Sequence, residues 1–203
     1  MMNTKLASSL IIAGILITGC ADKTQRIDMN NDQAGQVMGL DYRDFNEAAG
    51  RSVQSMLKSG ALDKKDNSRV VIAISKITND TMQHIDTDQL IKKIRVDLLR
   101  SGRAVITTSV GAEGNVDKMN AEVRKLNDNA DYNQDTTTQS GQLIAPEMSL
   151  SGKIIQRNIT MDDGKQQVEY YFQLSLTQLS TGLAWWEDET IIGKRGSGKS
   201  VAW

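Results

Sequence analysis

Residues 148–192 read MSLSGKIIQRNITMDDGKQQVEYYFQLSLTQLSTGLAWWEDETII, and this stretch decides the fold. Val168, Tyr170, Phe172, Leu174 and Leu176 alternate with polar residues, the period-two signature of a strand with one face buried. Asp162-Asp163-Gly164 before it and Ser180-Thr181-Gly182 after it are turn chemistry, because Asp and Ser bond their own backbone and Gly supplies positive φ. Two hairpins follow: a strand from Met148 to Met161, the Val168–Leu176 strand, and a last strand from Leu183 to Ile192. The apolar parity of the first shifts around Ile154-Ile155, which predicts a bulge there.

Upstream, the periodicity changes from two to about 3.6. Tyr42, Phe45, Ala49, Val53, Met56 and Leu57 recur at three- and four-residue intervals, with Asp41 placed as N-cap and Gly60 as the stop. Arg69–Ile77 (RVVIAISKI) is a β-branched run that predicts a buried strand, closed by the polar turn Thr78-Asn79-Asp80-Thr81. Asp86 and Gln89 have capping-box spacing ahead of a second helix, whose apolar stripe is Leu90, Ile91, Ile94, Leu98 and Leu99 and whose end is Gly102. Ala104–Thr108 is the next strand candidate. Asn115 can cap a third helix carrying Val116, Met119, Val123 and Leu126, and residues 127–141 read as a long polar loop. The order α-β-α-β-α-β-β-β predicts an α+β (mixed α/β) fold: a single mixed β-sheet flanked by helices, with parallel crossovers first and antiparallel hairpins last. No internal repeat is present.

The N-terminus points to an export route. Met1–Cys20 (MMNTKLASSLIIAGILITGC) has one positive charge at Lys5, then an apolar run centred on Leu10–Ile17. That run is shorter than the roughly 20 residues needed to span a bilayer, and it has the proportions of a signal peptide. It ends Ile17-Thr18-Gly19-Cys20, which resembles the lipobox of bacterial lipoproteins, where the thiol takes a diacylglyceryl group. Cys20 is the only cysteine of the chain, so it is the candidate lipidation site and the mature domain is expected to lack disulfides. Residue 21 is Ala, not the Asp that resembles an inner-membrane retention signal, so outer-membrane anchoring facing the periplasm is expected. Residues 21–39 are polar and lack proline, so they read as a flexible tether that reaches about 60 Å when fully stretched.

Composition excludes several functions. The 203 residues carry 24 Lys and Arg against 25 Asp and Glu, a balance that gives no basis for nucleic-acid binding. One His and one Cys cannot build a zinc site. Gly193–Ser200 (GKRGSGKS) matches the P-loop pattern, but only three residues follow, too few for the helix whose amides would hold the phosphates. No nucleotide is expected. Asp131-Tyr132-Asn133-Gln134-Asp135 opens like a calcium loop, yet Thr136 stands where the sharp turn needs Gly, and Gln142 where a bidentate Glu is required. His84 has no nucleophile with motif context beside it, and Asp162-Asp163 sit in a turn. No catalytic residue, cofactor or metal site is expected, and the chain reads as non-enzymatic.

Trp185-Trp186 is the remaining conspicuous feature. Neighbours on a strand point to opposite faces, so one can fill the core while the other faces solvent or a partner, and both are candidate partner contacts. Lys194, Arg195 and Lys199 read as a solvated tail.

Several ordered segments together resemble the penicillin-binding protein activator LpoB family: the signal ending ITGC, the opening GLDYRDFNEAAGRSVQSMLKSG, the segment VVIAISKITNDTMQHIDTDQLIKKIRVDLLRSG and the closing STGLAWWEDETIIGKRG. The likeness spans about residues 39–196. It implies an outer-membrane lipoprotein whose mixed-sheet domain binds and activates a bifunctional class A penicillin-binding protein, regulating peptidoglycan synthesis and cell shape by favouring the active state of the synthase. The organisation it suggests is a signal peptide at 1–19, lipidated Cys20 and tether at 20–39, a globular domain at 40–196 and a tail at 197–203. Enteric members carry a long Pro-rich spacer, whereas this tether is short and proline-free. The alternative is an accessory or structural lipoprotein of an outer-membrane secretion or surface-appendage assembly.

Overall fold

A computed structural model describes residues 24, 26–29, 36–112 and 115–197. The signal peptide, Cys20, much of the tether and residues 198–203 lie outside the described residues. The elements are α1 (Tyr42–Ser59), β1 (Val70–Asp80), α2 (Asp88–Arg100), β2 (Ala104–Ile106), α3 (Lys118–Arg124), β3 (Met148–Thr160), β4 (Lys165–Gln178) and β5 (Leu183–Ser197). They form one five-stranded sheet in the order β2-β1-β3-β4-β5. β2 and β3 pair with β1 in parallel, and β4 and β5 add antiparallel. The α+β class, the element order and the parallel-then-antiparallel topology are those the sequence predicts.

α1 starts where its chemistry directs. The Asp41 carboxylate accepts from the Arg43 and Asp44 amides, and the Asp44 side chain accepts from the Asp41 amide, a reciprocal capping box. It stops at Gly60, which takes φ 77°, a left-handed conformation glycine adopts without steric cost. α1 packs on β5, α2 on β2, and the two helices pack on each other. Phe45 of α1 meets Phe172 of β4 edge-to-face with ring centroids 6.0 Å apart; such a pair adds about 1 kcal/mol beyond its buried area. All five alternating residues of β4 from Val168 to Leu176 are buried, and each large one contributes roughly 1.5–3 kcal/mol of apolar burial. The other face of β3, β4 and β5 is left uncovered to varying degrees and is largely polar.

The structure corrects several local expectations. β1 does not turn at Thr78: Thr78, Asn79 and Asp80 stay paired with Lys153, Ile154 and Ile155, because ladder bonds are made by backbone and polar side chains do not end a strand. The expected bulge at Ile154-Ile155 is absent, and β3 pairs with β4 in unbroken register. Irregularities lie instead in β1, where Ser75 and Lys76 oppose Ser151, and at Trp185 in β5. The parity shift in β3 arises because Ile154 faces the core while Ile155 lies on the other face.

In α2 the Asp86–Gln89 capping box does not form. Thr87 is the N-cap without a side-chain bond, and the Asp86 carboxylate accepts from the Asp88 amide instead. Leu99 is exposed, while Leu90, Ile91, Ile94 and Leu98 are buried. The third helix is capped by Asp117, not Asn115, and none of its residues is buried. β2 ends at Ile106, two residues early. Within 127–141 a 3-10 turn at Gln134–Thr136 breaks the loop, and the Gln134 amide donates to the carbonyls of Leu126, Asn129 and Tyr132.

Candidate interaction surface

The two tryptophans take different faces. Leu176 pairs with Trp186 and Thr177 with Ala184, so Trp185 is the extra residue of a β-bulge, a device that re-aims a side chain. Trp186 is buried at 7% exposure, and its Nε1 donates to Ser55 Oγ of α1 at 3.4 Å. Trp185 is 52% exposed.

The open face of the sheet continues from the bulge. Across it, Ile155, Tyr171 and Ile191 stand opposite one another in register, an apolar row in which Ile191 is 48% exposed. Charges flank the row. The Tyr171 hydroxyl donates to Glu169 Oε2 at 2.6 Å, and Gln167 Nε2 donates to Oε1 at 2.7 Å. These bonds hold the Glu169 carboxyl below its usual range and, from the other side, raise the Tyr171 phenol. Lys153 pairs with Asp80 at 2.6 Å, Gln173 donates to Glu189, Ser175 donates to Glu187, and Arg195 donates to Gln167. The open face thus carries an apolar strip flanked by charges of both signs, with the exposed Trp185 at the bulge.

Beneath the opposite end of β5 lies a buried polar knot that sequence reasoning missed. Lys194 is 7% exposed. Its Nζ donates to Asp44 Oδ2 at 2.5 Å and to the Gly39 carbonyl at 2.6 Å, and Asp41 lies 4.0 Å away. The solvated-tail expectation therefore fails for Lys194: the strand runs on to Ser197, and alternation turns residue 194 inward. Burial raises the Asp44 carboxyl, outweighing the Lys194 bond that lowers it. Burial also opposes ionisation of Asp41, but the Arg43 bond and the nearby Lys194 charge outweigh it, and that carboxyl is held low. The Tyr170 hydroxyl accepts from Gln83 Nε2 at 2.6 Å and donates to the Met38 carbonyl at 3.1 Å; burial pushes this phenol up to about 12. Gln83 Oε1 accepts from the Leu40 amide. The knot ties residues 38–40, the end of the stretch read as tether, to the edge of the sheet. The sequence signal for it was the period-two continuation through Thr190, Ile192 and Lys194, hidden by the glycine-rich, P-loop-like composition.

The other motif residues are dispersed. Gly193–Ser197 of the P-loop match belong to β5, so no loop precedes a helix there, and Gly198, Lys199 and Ser200 lie outside the described residues. His84 is exposed in the segment between β1 and α2. Asp163 sits in the β3–β4 turn bonded to Lys165, and Asp131 and Asp135 are exposed around the 3-10 turn. Among the described residues no three His, Cys, Asp or Glu side chains converge on a metal-sized site. A groove of about 550 Å3 lies between the first turn of α1 and the first three turns of α2, lined by Tyr42, Phe45, Gln89, Lys92 and Val96 among others. No helix among the described residues is long and apolar enough to cross a membrane.

No curated protein matches the chain by sequence. Among solved structures, the LpoB C-terminal domain from Escherichia coli aligns at 12% identity and TM-score 0.44, covering 73% of this chain and 98% of that one. The corresponding domain from Salmonella enterica aligns at 12% and 0.42 over the same shares. Lipoprotein GNA1162 from Neisseria meningitidis aligns at 11% and 0.40, covering 64% of this chain and 90% of that one. The family model described as peptidoglycan-synthase activator LpoB matches residues 44–192, running from the first turn of α1 into β5. The chain belongs to the LpoB family of peptidoglycan-synthase activators.

Proposed function

We propose that this chain is a non-catalytic, outer-membrane lipoprotein, anchored through lipid on Cys20, whose folded domain binds a class A penicillin-binding protein and raises its rate of peptidoglycan synthesis. The observation that carries the reading is the family match over residues 44–192, most of the helix-and-sheet domain. Activation without a catalytic site requires only a surface that binds the active synthase more tightly than the inactive one, which shifts the population toward activity. The open sheet face supplies a candidate surface, and Trp185 its anchor. Trp186, held against α1, serves the core and positions the bulge. The proline-free tether keeps the domain within about 60 Å of the membrane that holds Cys20, so the synthase must present its docking site within that reach.

Glycan polymerisation from lipid-linked precursor, measured with each purified class A synthase of the host, tests the activity. The chain from Ala21 onward is expected to stimulate one synthase several-fold; no stimulation of any of them rejects the reading. Trp185→Ala is expected to weaken binding by about 2 kcal/mol, or roughly thirtyfold in Kd, the typical cost of truncating an aromatic anchor. Unchanged affinity would show that docking occurs elsewhere. Cys20→Ala in the full chain is expected to abolish incorporation of labelled fatty acid and to leave the signal peptide attached, since the thiol is the proposed acylation site and cleavage point; a variant that still takes up the label would refute Cys20 as the anchor.

A further inference from the structure

One end of the domain is built without charge. Residues 174–186 (LSLTQLSTGLAWW) and 136–146 (TTTQSGQLIAP) contain no Asp, Glu, Lys, Arg or His, although 24% of the chain is charged. The first stretch is the end of β4, the turn and the start of β5, and the second leads toward β3. They meet where the Leu179 amide donates to the Glu147 carbonyl at 2.9 Å. Leu143 and Ile144 precede Glu147 by four and three residues. Leu143, Ile144, Leu179, Leu183 and Trp185 are all exposed, Ile144 at 71%. Single exposed apolar side chains are ordinary, but several gathered at one end form a patch of the kind that marks an interaction site.

The tip can be covered without stranding its own turn. The Thr181 and Gly182 amides donate to the Gln178 carbonyl at 3.3 and 2.8 Å, the Leu183 amide to Thr181 Oγ1 at 3.4 Å, and the Thr181 hydroxyl to Gln178 Oε1 at 2.9 Å. A buried donor without a partner is penalised, so these internal bonds leave the turn asking little of whatever covers it. Charge points the same way. A surface without ionic groups would strip water from a charged partner and return nothing, so the occupant is itself apolar and uncharged. Lipid and an apolar hollow in a protein both meet that description, and the position of the tether separates them. Lys194 Nζ donates to the Gly39 carbonyl and the Tyr170 hydroxyl to the Met38 carbonyl. Residues 38–40 therefore join the domain eleven residues along β5 from Leu183, roughly 35 Å at the rise of a strand. The chain from Cys20 to Met38 spans at most about 60 Å, so bringing the tip to the membrane of its own anchor would draw that stretch out to more than half its limit. A protein partner makes no such demand, and depletion of charge around an exposed tryptophan is the make-up of an interface core.

We propose that this uncharged tip, Leu179, Leu183 and Trp185 flanked by Leu143 and Ile144, is the part of the docking surface that enters the synthase, seated in an apolar, uncharged hollow of that protein. The proposal rests on the synthase reading and narrows it, because Trp185 belongs to the tip as well as to the open face. Affinity and glycan polymerisation are measured with the full chain in detergent and the synthase it stimulates. Leu179→Asp and Leu183→Asp each carry a carboxylate into the hollow and are expected to raise Kd at least tenfold; the milder Leu183→Ser is expected to raise it several-fold. Both leucines are exposed, so the urea midpoints are expected to match wild type. Met119→Asp, at an exposed apolar side chain of α3, is expected to change affinity less than twofold. Leu183→Cys carrying a polarity-sensitive dye, in vesicles of phosphatidylethanolamine and phosphatidylglycerol, is expected to keep its emission in water until the synthase is co-reconstituted, and then to shift to the blue; the parent chain labelled alike supplies the baseline. A wild-type chain that stimulates while the folded Asp variants match it removes the tip from the interface and leaves the synthase reading standing. A wild-type chain that stimulates no synthase brings down both. A blue shift in vesicles without synthase assigns the tip to lipid and overturns the proposal.

Discussion

Gly152→Val is expected to abolish the native fold at physiological temperature, and Gly152→Ala to destabilise it by about 3 kcal/mol or more, at the upper end of overpacking costs. Gly152 lies in the middle of β3, between Ile77 of β1 and Leu174 of β4. A Cβ at this position would sit 2.5 Å from the Gln173 carbonyl oxygen and 2.5 Å from a Leu174 methyl. The methyl can swing aside. The carbonyl belongs to the β3–β4 ladder and can move only if the central pairing of the sheet opens. A loss of about 3 kcal/mol is a large part of the roughly 5–15 kcal/mol that stabilises a typical domain, and valine adds two more carbons to the same clash. Gly193 supplies the control: a Cβ there meets nothing within 4 Å, and Gly193→Ala is expected to be neutral or to stabilise by a few tenths of a kcal/mol through the unfolded chain. Urea unfolding followed by far-UV circular dichroism checks both. A Gly152→Ala midpoint equal to wild type would show that the β3–β4 ladder is not rigid at this point.

Alternation in Val168–Leu176 depends only on which face is buried, and one covered face writes that pattern directly into the sequence. The caps of α1 were legible for the same reason: Asp41 and Gly60 act within a turn of the helix end they close. What failed depends on distant contacts. Whether Asp86 caps α2 or bonds the Asp88 amide is settled by the path of the chain leaving β1. β1 reaches Asp80 because β3 is long enough to pair with it there. The Trp185-Trp186 pair was recognisable as one inward and one outward residue, but not which was which, because a bulge at Trp185 resets the parity. Lys194 was misread because a lysine followed by Arg-Gly-Ser has the local composition of a tail, and only Asp44, 150 positions earlier, reveals it as a buried group.

That pair carries the second large effect. Lys194→Met is expected to cost about 3–5 kcal/mol at neutral pH, the range for removing one partner of a buried ion pair. Methionine fills the apolar length of lysine but leaves the Asp44 carboxylate without its ammonium, with only the Asp41 amide, at 2.7 Å, bonded to the same oxygen that Lys194 used. Asp44→Asn combined with Lys194→Met removes both charges and keeps an oxygen able to accept from the Asp41 amide, and the residue-44 amide still donates to Asp41, so the capping box retains both of its bonds. The double variant is expected to regain most of the loss, because exchanging a whole buried pair for neutral groups is often close to isoenergetic. The sign of the pH dependence follows from Asp44. Burial already raises its folded carboxyl above the ordinary value of 3.8 even with Lys194 present, and losing the ammonium raises it further. A carboxyl raised in the folded state favours folding below its unfolded pKa, and that contribution is lost as pH rises through the folded value. The Lys194→Met penalty is therefore expected to be full at neutral pH and to shrink as pH falls toward the ordinary carboxylate range, while the double variant shows no such convergence with wild type. Urea midpoints of the three proteins at about pH 7, 5.5 and 4 measure this. A penalty that stays constant over that interval would mean that Asp44 reaches water once Lys194 is gone, and that the knot holding residues 38–40 against the sheet opens without it.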